Sequence, residues 1–308
     1  MWIWSGFPEV PVLRDVSIQT LDSLLPPEFD AYVYRGLHPD LASMSNEELV
    51  AHYDRHGRAE GRRAHTVRDR NAFAALVPRD ARALEIGPFH WPLLSGPNVK
   101  YFDVLDRDAL VVRAQQIGFP TDHVPAEIHF VSPHGDLGIV DGTFDVVLSS
   151  HAIEHQPNLV GHLQAVERLL VPGGAYFVLV PDKNYCFDHF LAESTIAQIL
   201  HAHHSHRQIH TLQSQIEDVA LTTHNDTESH WKGIHGEQSH SLERIRQCVT
   251  RYVDHPDQYV DVHAWCFSPA SFRRNMALLR ELSYTNLRVM RIFPTLRNAN
   301  EFWAVLGK

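Results

Sequence analysis

The segment "ALEIGPFHWPLL", residues 83–94, carries the pattern on which the prediction of the fold depends. Its apolar residues run through Glu85 to Ile86, and Gly87 and Pro88 then end the run. This pattern is typical of a buried β-strand that leads into a ligand loop, because open α/β sheets bind their ligands beyond the carboxyl ends of the strands. A strand followed by a turn without any ligand would give the same pattern.

Segments typical of strands and helices alternate along the chain after residue 81. The predicted strands are 81–86, 99–105, 127–131, 143–150 and 175–180, and the predicted helices between them include 108–117 and 158–170. The stretch "VPGG" (171–174) is expected to end the second helix and turn the chain. Such β-α alternation predicts a parallel sheet with right-handed crossovers. A helix from Pro269 and two last strands, 286–293 and 301–307, would complete the domain with an antiparallel hairpin at the sheet edge.

Two segments lie outside this alternation. Residues 1–65 consist of an irregular stretch that contains prolines and of a short helical module at 29–63. Residues 66–308 form the predicted sheet domain. Within that domain, residues 181–262 are far longer than an ordinary loop, which predicts an inserted lid or subdomain.

The composition limits the classes of function. A net charge of −10 over 308 residues argues against broad binding to the phosphate backbone of nucleic acid. Three widely spaced cysteines, without a CxxC pair, indicate neither a disulfide framework nor a zinc finger. No apolar stretch reaches about 18 residues, the length expected of a membrane span, and the N-terminus lacks the pattern of a signal peptide. We therefore expect a cytoplasmic protein.

The loop after residue 86 discriminates between nucleotide ligands. A dinucleotide site would need G-x-G-x-x-G at this turn, and only Gly87 is present. No tyrosine is followed by a lysine four residues later, which argues against a short-chain dehydrogenase or a sugar epimerase. S-adenosylmethionine has no phosphate, so its site needs fewer glycines that let the backbone approach the ligand closely. It does need a carboxylate after the second strand, which binds the ribose hydroxyls. The candidate cofactor-binding residues are Glu85, Gly87, Pro88, Asp103 (or Asp106), Asp136, Ser150 and His151.

Several segments together resemble class I S-adenosylmethionine-dependent methyltransferases, and among these the bacterial type that modifies surface glycans. The segments are "LEIGPFHWPLL", "YFDVLD", "FDVVLSSHAIEH", "RLLVPGGAYFVLVPDKNYCFD" and "EFWAVLGK", and the resemblance covers about residues 80–308. It implies a Rossmann-like α/β fold with a doubly wound, mostly parallel, seven-stranded sheet, and S-adenosylmethionine as the cofactor. The glycine turn departs from the family, because E-x-G-x-G-x-G reads E-I-G-P-F-H-W here.

The segment "FDAYVYRGLHPDL…HYDRHGRAEGRR" is similar to a short helical module found beside glycosyltransferase and methyltransferase domains in bacterial polysaccharide pathways. The two resemblances imply an O-methyltransferase that acts on a sugar or glycan hydroxyl in surface-polysaccharide biosynthesis, with 181–262 on the acceptor side. Residues 29–63 would then serve a homodimer or docking to polysaccharide-assembly proteins. Natural-product, amine or peptide acceptors stay open as alternatives. So do a non-catalytic module that binds S-adenosylmethionine or a glycan and, more distantly, a metal-dependent hydrolase.

Methyl transfer to a hydroxyl gains from a base that takes the hydroxyl proton, and histidine suits this role near neutral pH. His155 follows the fourth predicted strand in "SSHAIEH", where a structural histidine is the alternative. Asp261 and His263 alternate on an extended segment, "DVHAWCFSP", and so point the same way. The candidate catalytic residues are His155, His263, His224 and Asp226.

Histidines are concentrated between residues 201 and 240, where nine of the 23 lie. For "HNDTESHWKGIHGE" (224–237) three interpretations stay open: an acceptor-binding lid with a His/Asp base pair, a divalent metal site, and a solvated loop. No established metal-ligand pattern is present, so no metal is predicted. The run "HAHHSHRQIH" (201–210) is expected to be a solvated surface. The candidate acceptor-binding residues are His230, Trp231, His235 and Trp265.

Overall fold

The computed structural model describes residue 29 and residues 31–308, so the expectation for residues 1–28 lies outside the described residues. The strands are β1 Ala83–Ile86, β2 Val99–Asp103, β3 Phe130–Val131, β4 Phe144–Ser150, β5 Leu170–Pro181, β6 Arg288–Phe293 and β7 Glu301–Gly307. They form one seven-stranded sheet in the order β3-β2-β1-β4-β5-β7-β6. Neighbouring strands among β1–β5 run parallel, and β7 is antiparallel to both β5 and β6. This order confirms the predicted α/β, mostly parallel, Rossmann-like fold.

Side-chain caps fix where several helices begin. The helices are α1 Ala31–Leu37, α2 Asn46–His52, α3 Arg70–Ala74, α4 Arg107–Gln116, α5 Leu159–Leu169, α6 Ile196–His204, α7 Leu212–Ala220, α8 Thr227–Trp231, α9 Leu242–Asp254 and α10 Pro269–Glu281. Ser45 and Glu48 form a capping box at α2, and Ser268 caps α10 ahead of Pro269. These caps bond amides that have no partner inside the helix. None of the described helices is long and apolar enough to cross a membrane.

The sheet separates two apolar layers. On one face Leu84 and Val147 pack in a core with residues of α5, α6 and α10. On the other face Leu148 and Leu179 share a core with Phe73 of α3. Because both faces are covered, β4 is buried along most of its length, which explains its nearly continuous apolar sequence. The carboxyl ends of β1–β5 therefore meet along one edge, where the loop after β1 emerges.

The fifth strand begins earlier than the sequence predicts. Leu170 already pairs with Phe144, ahead of the "VPGG" stretch, and the register shifts after this pair. "VPGG" therefore forms an irregularity within β5 and not a turn before it. Gly174 suits this position because a Cβ there would lie 3.0 Å from two backbone carbonyl oxygens. The third strand, in contrast, is shorter than its predicted span of 127–131.

The long segment after β5 folds into helices. Helix α6 packs against α5 and buries Ile199 and Ala202 in the core, whereas α7 packs against α9. The expectation that residues 201–210 form a solvated surface is wrong for His210, which is 1% exposed. Helix α6 ends at His204, so a helical face does not continue to residue 210.

Residues 31–64 contain a small core of their own, formed by Tyr34, Leu41, Leu49, Tyr53 and Ala64. The sequence suggests that Gly57 ends the second helix of this module. The chain continues from α2 through one wider helical turn, Tyr53–Gly57, and the helical segment ends at Gly57. Gly57 packs directly under the ring of Tyr34, where a side chain would not fit.

Gly57→Ala should destabilise this module, because an added Cβ would overlap the hydroxyl of Tyr34, a fully buried group held 3.0 Å from His52 Nδ1. We expect the free energy of unfolding to fall by about 1–3 kcal/mol, the usual cost of overpacking. Gly36→Ala is the matched control, because a Cβ there meets no atom within 4 Å. Removing that helix glycine should stabilise by up to about 1 kcal/mol. Equal effects of both changes in urea denaturation would show that the Tyr34–Gly57 contact does not hold the module.

Candidate active site

A cavity of about 960 Å³ opens at the carboxyl edge of the sheet. The loop after β1 contributes Gly87 and Trp91 to its wall, and the end of β4 contributes Ser150 and His151. Residues 296–301, which lead into β7, close the opposite side. The cavity therefore lies where parallel α/β sheets bind their ligands, and its size suits a small molecule.

Glu85 holds the loop after β1 from inside the sheet. Its two carboxylate oxygens accept hydrogen bonds from the backbone N–H groups of Leu93 and Leu94, both at 2.8 Å. Burial raises the pKa of Glu85 to about 7, although the two amides oppose this shift. Because the loop itself occupies both oxygens, Glu85 positions the loop that was predicted to hold the cofactor.

The backbone after Glu85 turns sharply. Gly87 and Phe89 lie in the left-handed region, with φ of +70° and +46°. The N–H of Gly87 donates to the carbonyl of Phe102 at 2.9 Å, which fastens the turn to β2. A Cβ at Gly87 would meet no protein atom within 4 Å, so a side chain there would project into open space beside the cavity. Gly87 and the adjacent Pro88 thus leave room for a cofactor to approach the backbone.

Two predicted cofactor aspartates follow the neighbouring strands. Asp103, at the end of β2, is 7% exposed, and burial raises its pKa against the effect of backbone amides, including Leu105 N–H at 3.1 Å. Asp136 is exposed and caps the turn after β3 by accepting from Gly138 N–H at 2.7 Å. The alternative, Asp106, caps α4. Neither Asp103 nor Asp136 lines the 960 Å³ cavity, so their contact with the cofactor stays a prediction.

The carboxylate of Glu301, the first residue of β7, joins three segments at this edge. It accepts hydrogen bonds from Arg70 Nη2 and His151 Nε2, each at 2.6 Å, and from the indole N–H of Trp303 at 2.8 Å. Burial alone would raise its pKa, but His151 and Arg70 outweigh burial and lower the pKa of Glu301 to about 2. His151 has a φ of +49°, a strained conformation that this contact holds. His151 and Ser150 lie in the cavity wall, and their contact with the cofactor stays a prediction.

A second group of ionisable residues lies directly beyond β4. This acid–histidine cluster consists of Glu154, His155, Asp188, Asp261 and His263. His155 Nδ1 is 3.0 Å from Asp261 Oδ1, and the ring of His155 is 4.8 Å from that of His263, centre to centre. His263 Nδ1 is 2.6 Å from Asp188 Oδ2. The structure thus brings together two of the predicted catalytic residues, His155 and His263.

The two histidines of this cluster differ in access. The side chain of His263 is 9% exposed; burial alone would lower its pKa, but the Asp188 carboxylate raises the pKa of His263 to about 9. His263 is therefore protonated at neutral pH and cannot accept another proton. His155 is 26% exposed, and Asp261 raises its pKa against the effect of burial. His155 is the histidine that a substrate can reach.

Glu154 links this cluster to the cavity edge. Its Oε1 is 3.6 Å from His151 Nδ1 and 3.9 Å from His155 Nε2. The side chain is 1% exposed, and within the described part of the chain neither of its oxygens makes a hydrogen bond. Buried polar atoms are nearly always hydrogen-bonded in folded proteins, so this carboxylate calls for a donor from a ligand or from water.

His224 and Asp226 are the other predicted catalytic pair. Each of their side chains accepts a hydrogen bond from a backbone N–H group at the start of α8. Asp226 is exposed and caps α8, accepting from Ser229 N–H at 3.2 Å. His224 Nδ1 accepts from the backbone N–H of Asp226 at 3.1 Å. Both residues shape the start of α8, and their catalytic role stays a prediction.

Two tryptophans that were predicted to bind the acceptor are used inside the fold. Trp231 stacks on Tyr185 with ring centres 3.9 Å apart, and its indole N–H donates to the carbonyl of Ala299 at 2.8 Å. Trp265 is 2% exposed and donates to the carbonyl of Gln156 at 2.7 Å. The structure corrects both assignments. Trp265 is a core residue, and Trp231 fastens α8 to the loop that lines the cavity before β7.

His230 and His235, also predicted to bind the acceptor, form a separate group with His189, which we call the lid histidines. His230 Nδ1 is 3.0 Å from His235 Nδ1, and the rings of His189 and His235 stack with centres 3.7 Å apart. His230 is 2% exposed. Burial lowers the pKa of both His230 and His235. The lid histidines thus form a group of rings that face one another.

Sequence reasoning missed four residues of these sites: Arg70, Glu154, Asp188 and Glu301. A signal exists for two of them, because Glu154 lies within "SSHAIEH" and Glu301 begins an otherwise apolar strand. Arg70 and Asp188 have no such signal. Their partners lie 231 and 75 residues away along the chain.

Comparison with known proteins agrees with this geometry. The family described as "Methyltransferase domain" matches residues 104–178, from the end of β2 into β5. No curated protein matches the sequence. The matched domain, the sheet order and the cavity at the carboxyl edge define an enzyme of the methyltransferase class. Its cofactor is S-adenosylmethionine.

Solved structures with a similar fold include an S-adenosylmethionine-dependent methyltransferase from Mesorhizobium loti, with 14% identity over 77% of this chain and 96% of that chain and a TM-score of 0.37. The CcbJ methyltransferase from Streptomyces caelestis has 11% identity over 77% and 92%, with a TM-score of 0.39. The amino pentose methyltransferase CalS10 from Micromonospora echinaspora has 21% identity over 41% and 54%, with a TM-score of 0.27. These TM-scores are too low for the likeness to bear on the acceptor.

Gly87→Arg should weaken the binding of S-adenosylhomocysteine by tenfold or more, about 1.4 kcal/mol, because the side chain would enter the cofactor space and strain a backbone with φ +70°. Gly142→Arg is the matched control. It has a φ of +84° and open surroundings, but it precedes β4 at the opposite edge of the sheet. Isothermal titration calorimetry measures both dissociation constants. An unchanged constant for Gly87→Arg would contradict the cofactor site.

The ion pair of His263 with Asp188 predicts a pH dependence of stability. The pKa of His263 is about 9 when folded and about 6.5 when unfolded. A raised histidine pKa stabilises the folded state fully below the unfolded value, and this contribution is lost as the pH rises through the folded value. The advantage of wild type over His263→Gln in the free energy of unfolding should therefore shrink by up to roughly 3 kcal/mol over this range.

Urea denaturation at several pH values across this range measures that advantage. His255→Gln, at an exposed histidine, serves as the control whose difference from wild type should not follow this pH window. If the difference between wild type and His263→Gln stayed constant with pH, His263 would not be held as a cation in the folded protein.

Proposed function

We propose that this methyltransferase transfers a methyl group to a hydroxyl of a sugar or glycan, in bacterial surface-polysaccharide biosynthesis. The observation that carries the proposal is the acid–histidine cluster, which Glu154 links to the edge of the cofactor cavity. The resemblance of residues 29–63 to a module found beside polysaccharide-modifying enzymes supports a sugar acceptor.

Gly87, Asp103, Ser150 and His151 would hold S-adenosylmethionine, which supplies an electrophilic methyl group when bound. The turn at Gly87 leaves the backbone accessible, and the contact with Glu301 fixes the position of His151. These residues would place the reacting group near His151, whose Nδ1 lies 3.6 Å from Glu154 Oε1. Fixed positions of this kind lower the entropic cost of bringing two reactants together.

His155 is the base in this proposal. Asp261 lies 3.0 Å from its Nδ1 and orients the ring, so that Nε2 faces Glu154 and the cofactor edge. The hydroxyl oxygen would form a bond to the methyl carbon as the carbon–sulfur bond breaks, its proton would pass to His155 Nε2, and Asp261 would stabilise the resulting cation. The arrangement is the carboxylate–histidine pairing that general bases use.

His263 has a different role in this proposal. The ion pair with Asp188 keeps His263 protonated, so His263 contributes a positive charge beside His155. It does not act as a proton acceptor. Glu154, whose oxygens make no hydrogen bond within the described residues, would accept a hydrogen bond from a second, neighbouring hydroxyl of the acceptor. Trp91, which is 50% exposed on the cavity wall, offers an aromatic surface for a sugar ring.

We also propose where the reaction occurs and what the module does. Cys186, Cys248 and Cys266 are all free thiols, which fits the reducing cytoplasm. We assign residues 29–63 to contact with a second copy of the chain or with polysaccharide-assembly proteins. The module already meets the cavity side, because Arg297 N–H donates to the carbonyl of Gly61 at 3.3 Å.

His155→Gln should lower kcat by about 10²–10⁴-fold, the usual contribution of a general base. The Michaelis constant for S-adenosylmethionine should change little, because His155 lies on the acceptor side. Activity of the wild type should rise with pH as His155 loses its proton, at a pH above the ordinary histidine value, since Asp261 raises its pKa. That rise should disappear in His155→Gln.

The exposed His255→Gln serves as the control variant, with unchanged kcat and pH profile. If His155→Gln kept the wild-type rate and the same pH profile, His155 would not be the base.

The acceptor class needs a separate test, because the carboxylates of Glu154 and Asp261 would also attract an amine. Methyl-labelled S-adenosylmethionine can be offered with neutral nucleotide sugars, amino sugars, natural products and peptides. We expect label in an ether-linked methyl group of a sugar. Label only on an amino group or only in a peptide would overturn the hydroxyl proposal and leave the methyltransferase assignment intact.

A further inference from the structure

We propose that the lid histidines, His189, His230 and His235, bind one divalent transition metal ion of the Zn²⁺ type. This ion would fasten the segment 224–237 to the segment 183–190. The proposal goes beyond the methyl-transfer function and does not depend on the identity of the acceptor.

The three rings lie close together. Each residue offers a ligand nitrogen, and these nitrogens all lie within 4.8 Å of one another. His230 Nδ1 and His235 Nδ1 are already 3.0 Å apart. Tetrahedral Zn²⁺ binds imidazole nitrogens at about 2.0–2.1 Å, so the stacked rings of His189 and His235 would have to rotate apart for all three nitrogens to contact one ion.

Backbone carbonyls orient two of these rings. His189 Nδ1 is 2.9 Å from the carbonyl oxygen of Asn184, and His230 Nε2 is 3.1 Å from the carbonyl oxygen of His224. Each of these nitrogens donates its proton to the carbonyl, because a carbonyl can only accept. The other nitrogen of each ring therefore carries a lone pair. Histidine ligands of metals have this second contact almost always, since it fixes the tautomer.

The chemistry of the group distinguishes it from the acid–histidine cluster. Glu154, His155 and His263 of the acid–histidine cluster also offer ligand atoms within 4.8 Å of one another, but His155 and His263 already face the carboxylates of Asp261 and Asp188. Among the lid histidines, His230 is buried and His189 and His235 are half-buried, and backbone carbonyls contact the rings of His189 and His230. Their N₃ donor set suits Zn²⁺ or a similar borderline ion and leaves a fourth position open for water.

His224 is excluded from the ligand set. Its Nδ1 already accepts a hydrogen bond from the backbone N–H of Asp226 at 3.1 Å. Its carbonyl instead orients His230, so His224 supports the site from outside.

A metal at this position would stabilise the wall of the cofactor cavity. His230 and His235 flank Trp231, whose indole N–H holds the carbonyl of Ala299 in the loop that lines the cavity. Tyr185, which stacks on Trp231, lies in the same segment as His189. One ion would therefore lock together the two segments that hold this loop.

The test is a metal titration of the untagged full chain after treatment with a chelator. Zn²⁺ per chain is measured by elemental analysis after dialysis, and the melting temperature is measured with and without Zn²⁺. Co²⁺ then reports the geometry through the visible spectrum of a four-coordinate ion. We expect one ion per chain, a higher melting temperature and a four-coordinate spectrum.

His189→Ala and His235→Ala should each weaken Zn²⁺ binding by tenfold or more, whereas the exposed His255→Ala should leave it unchanged. Both lid residues are only partly buried, so both variants should fold without metal. The competing arrangement is a direct hydrogen bond from His235 to His230. It predicts no retained metal in wild type, or equal binding in all variants, and either result would overturn the proposal. Binding of S-adenosylhomocysteine, measured in the same samples, separates this outcome from failure of the cofactor site.

Discussion

The buried carboxylate of Glu301 is the constraint on which the geometry of this site depends. It is 7% exposed, and a buried charge is tolerated only when partners balance it. Arg70 and His151 supply that balance at 2.6 Å each. These partners come from α3 and from the end of β4, so a single charge fixes three elements around the cavity. The strained backbone of His151 persists because the same contact holds it.

Two groups of histidines in the structure differ in electrostatic character. In the acid–histidine cluster, carboxylates overcome burial and raise the pKa values of His155 and His263. Among the lid histidines burial dominates, and the rings of His230 and His235 are neutral. The first group therefore suits charge and proton transfer, and the second suits metal binding. Segment 183–190 contributes Asp188 to the first group and His189 to the second, so the two groups are joined by adjacent residues of the chain.

The fold could be predicted largely because its determinants are local. The apolar run of β4 and the cap at Ser268 are each visible within a few residues. The site could be predicted only in part. His155 was found from its place after a strand, but the role of Trp231 depends on Ala299, 68 residues away. An aromatic side chain can bind a sugar or pack inside the protein, and only long-range packing decides between these environments.

The most direct test of the account is a thermal-shift titration with S-adenosylmethionine and S-adenosylhomocysteine, with NAD and UDP-glucose as controls. A ligand at 100 times its dissociation constant adds about 2.7 kcal/mol to the free energy of unfolding. We predict that both adenosyl ligands raise the melting temperature, and that NAD does not. No shift with either adenosyl ligand at millimolar concentration, or a shift with NAD alone, would contradict the assignment of the cavity beside Gly87 as the cofactor site.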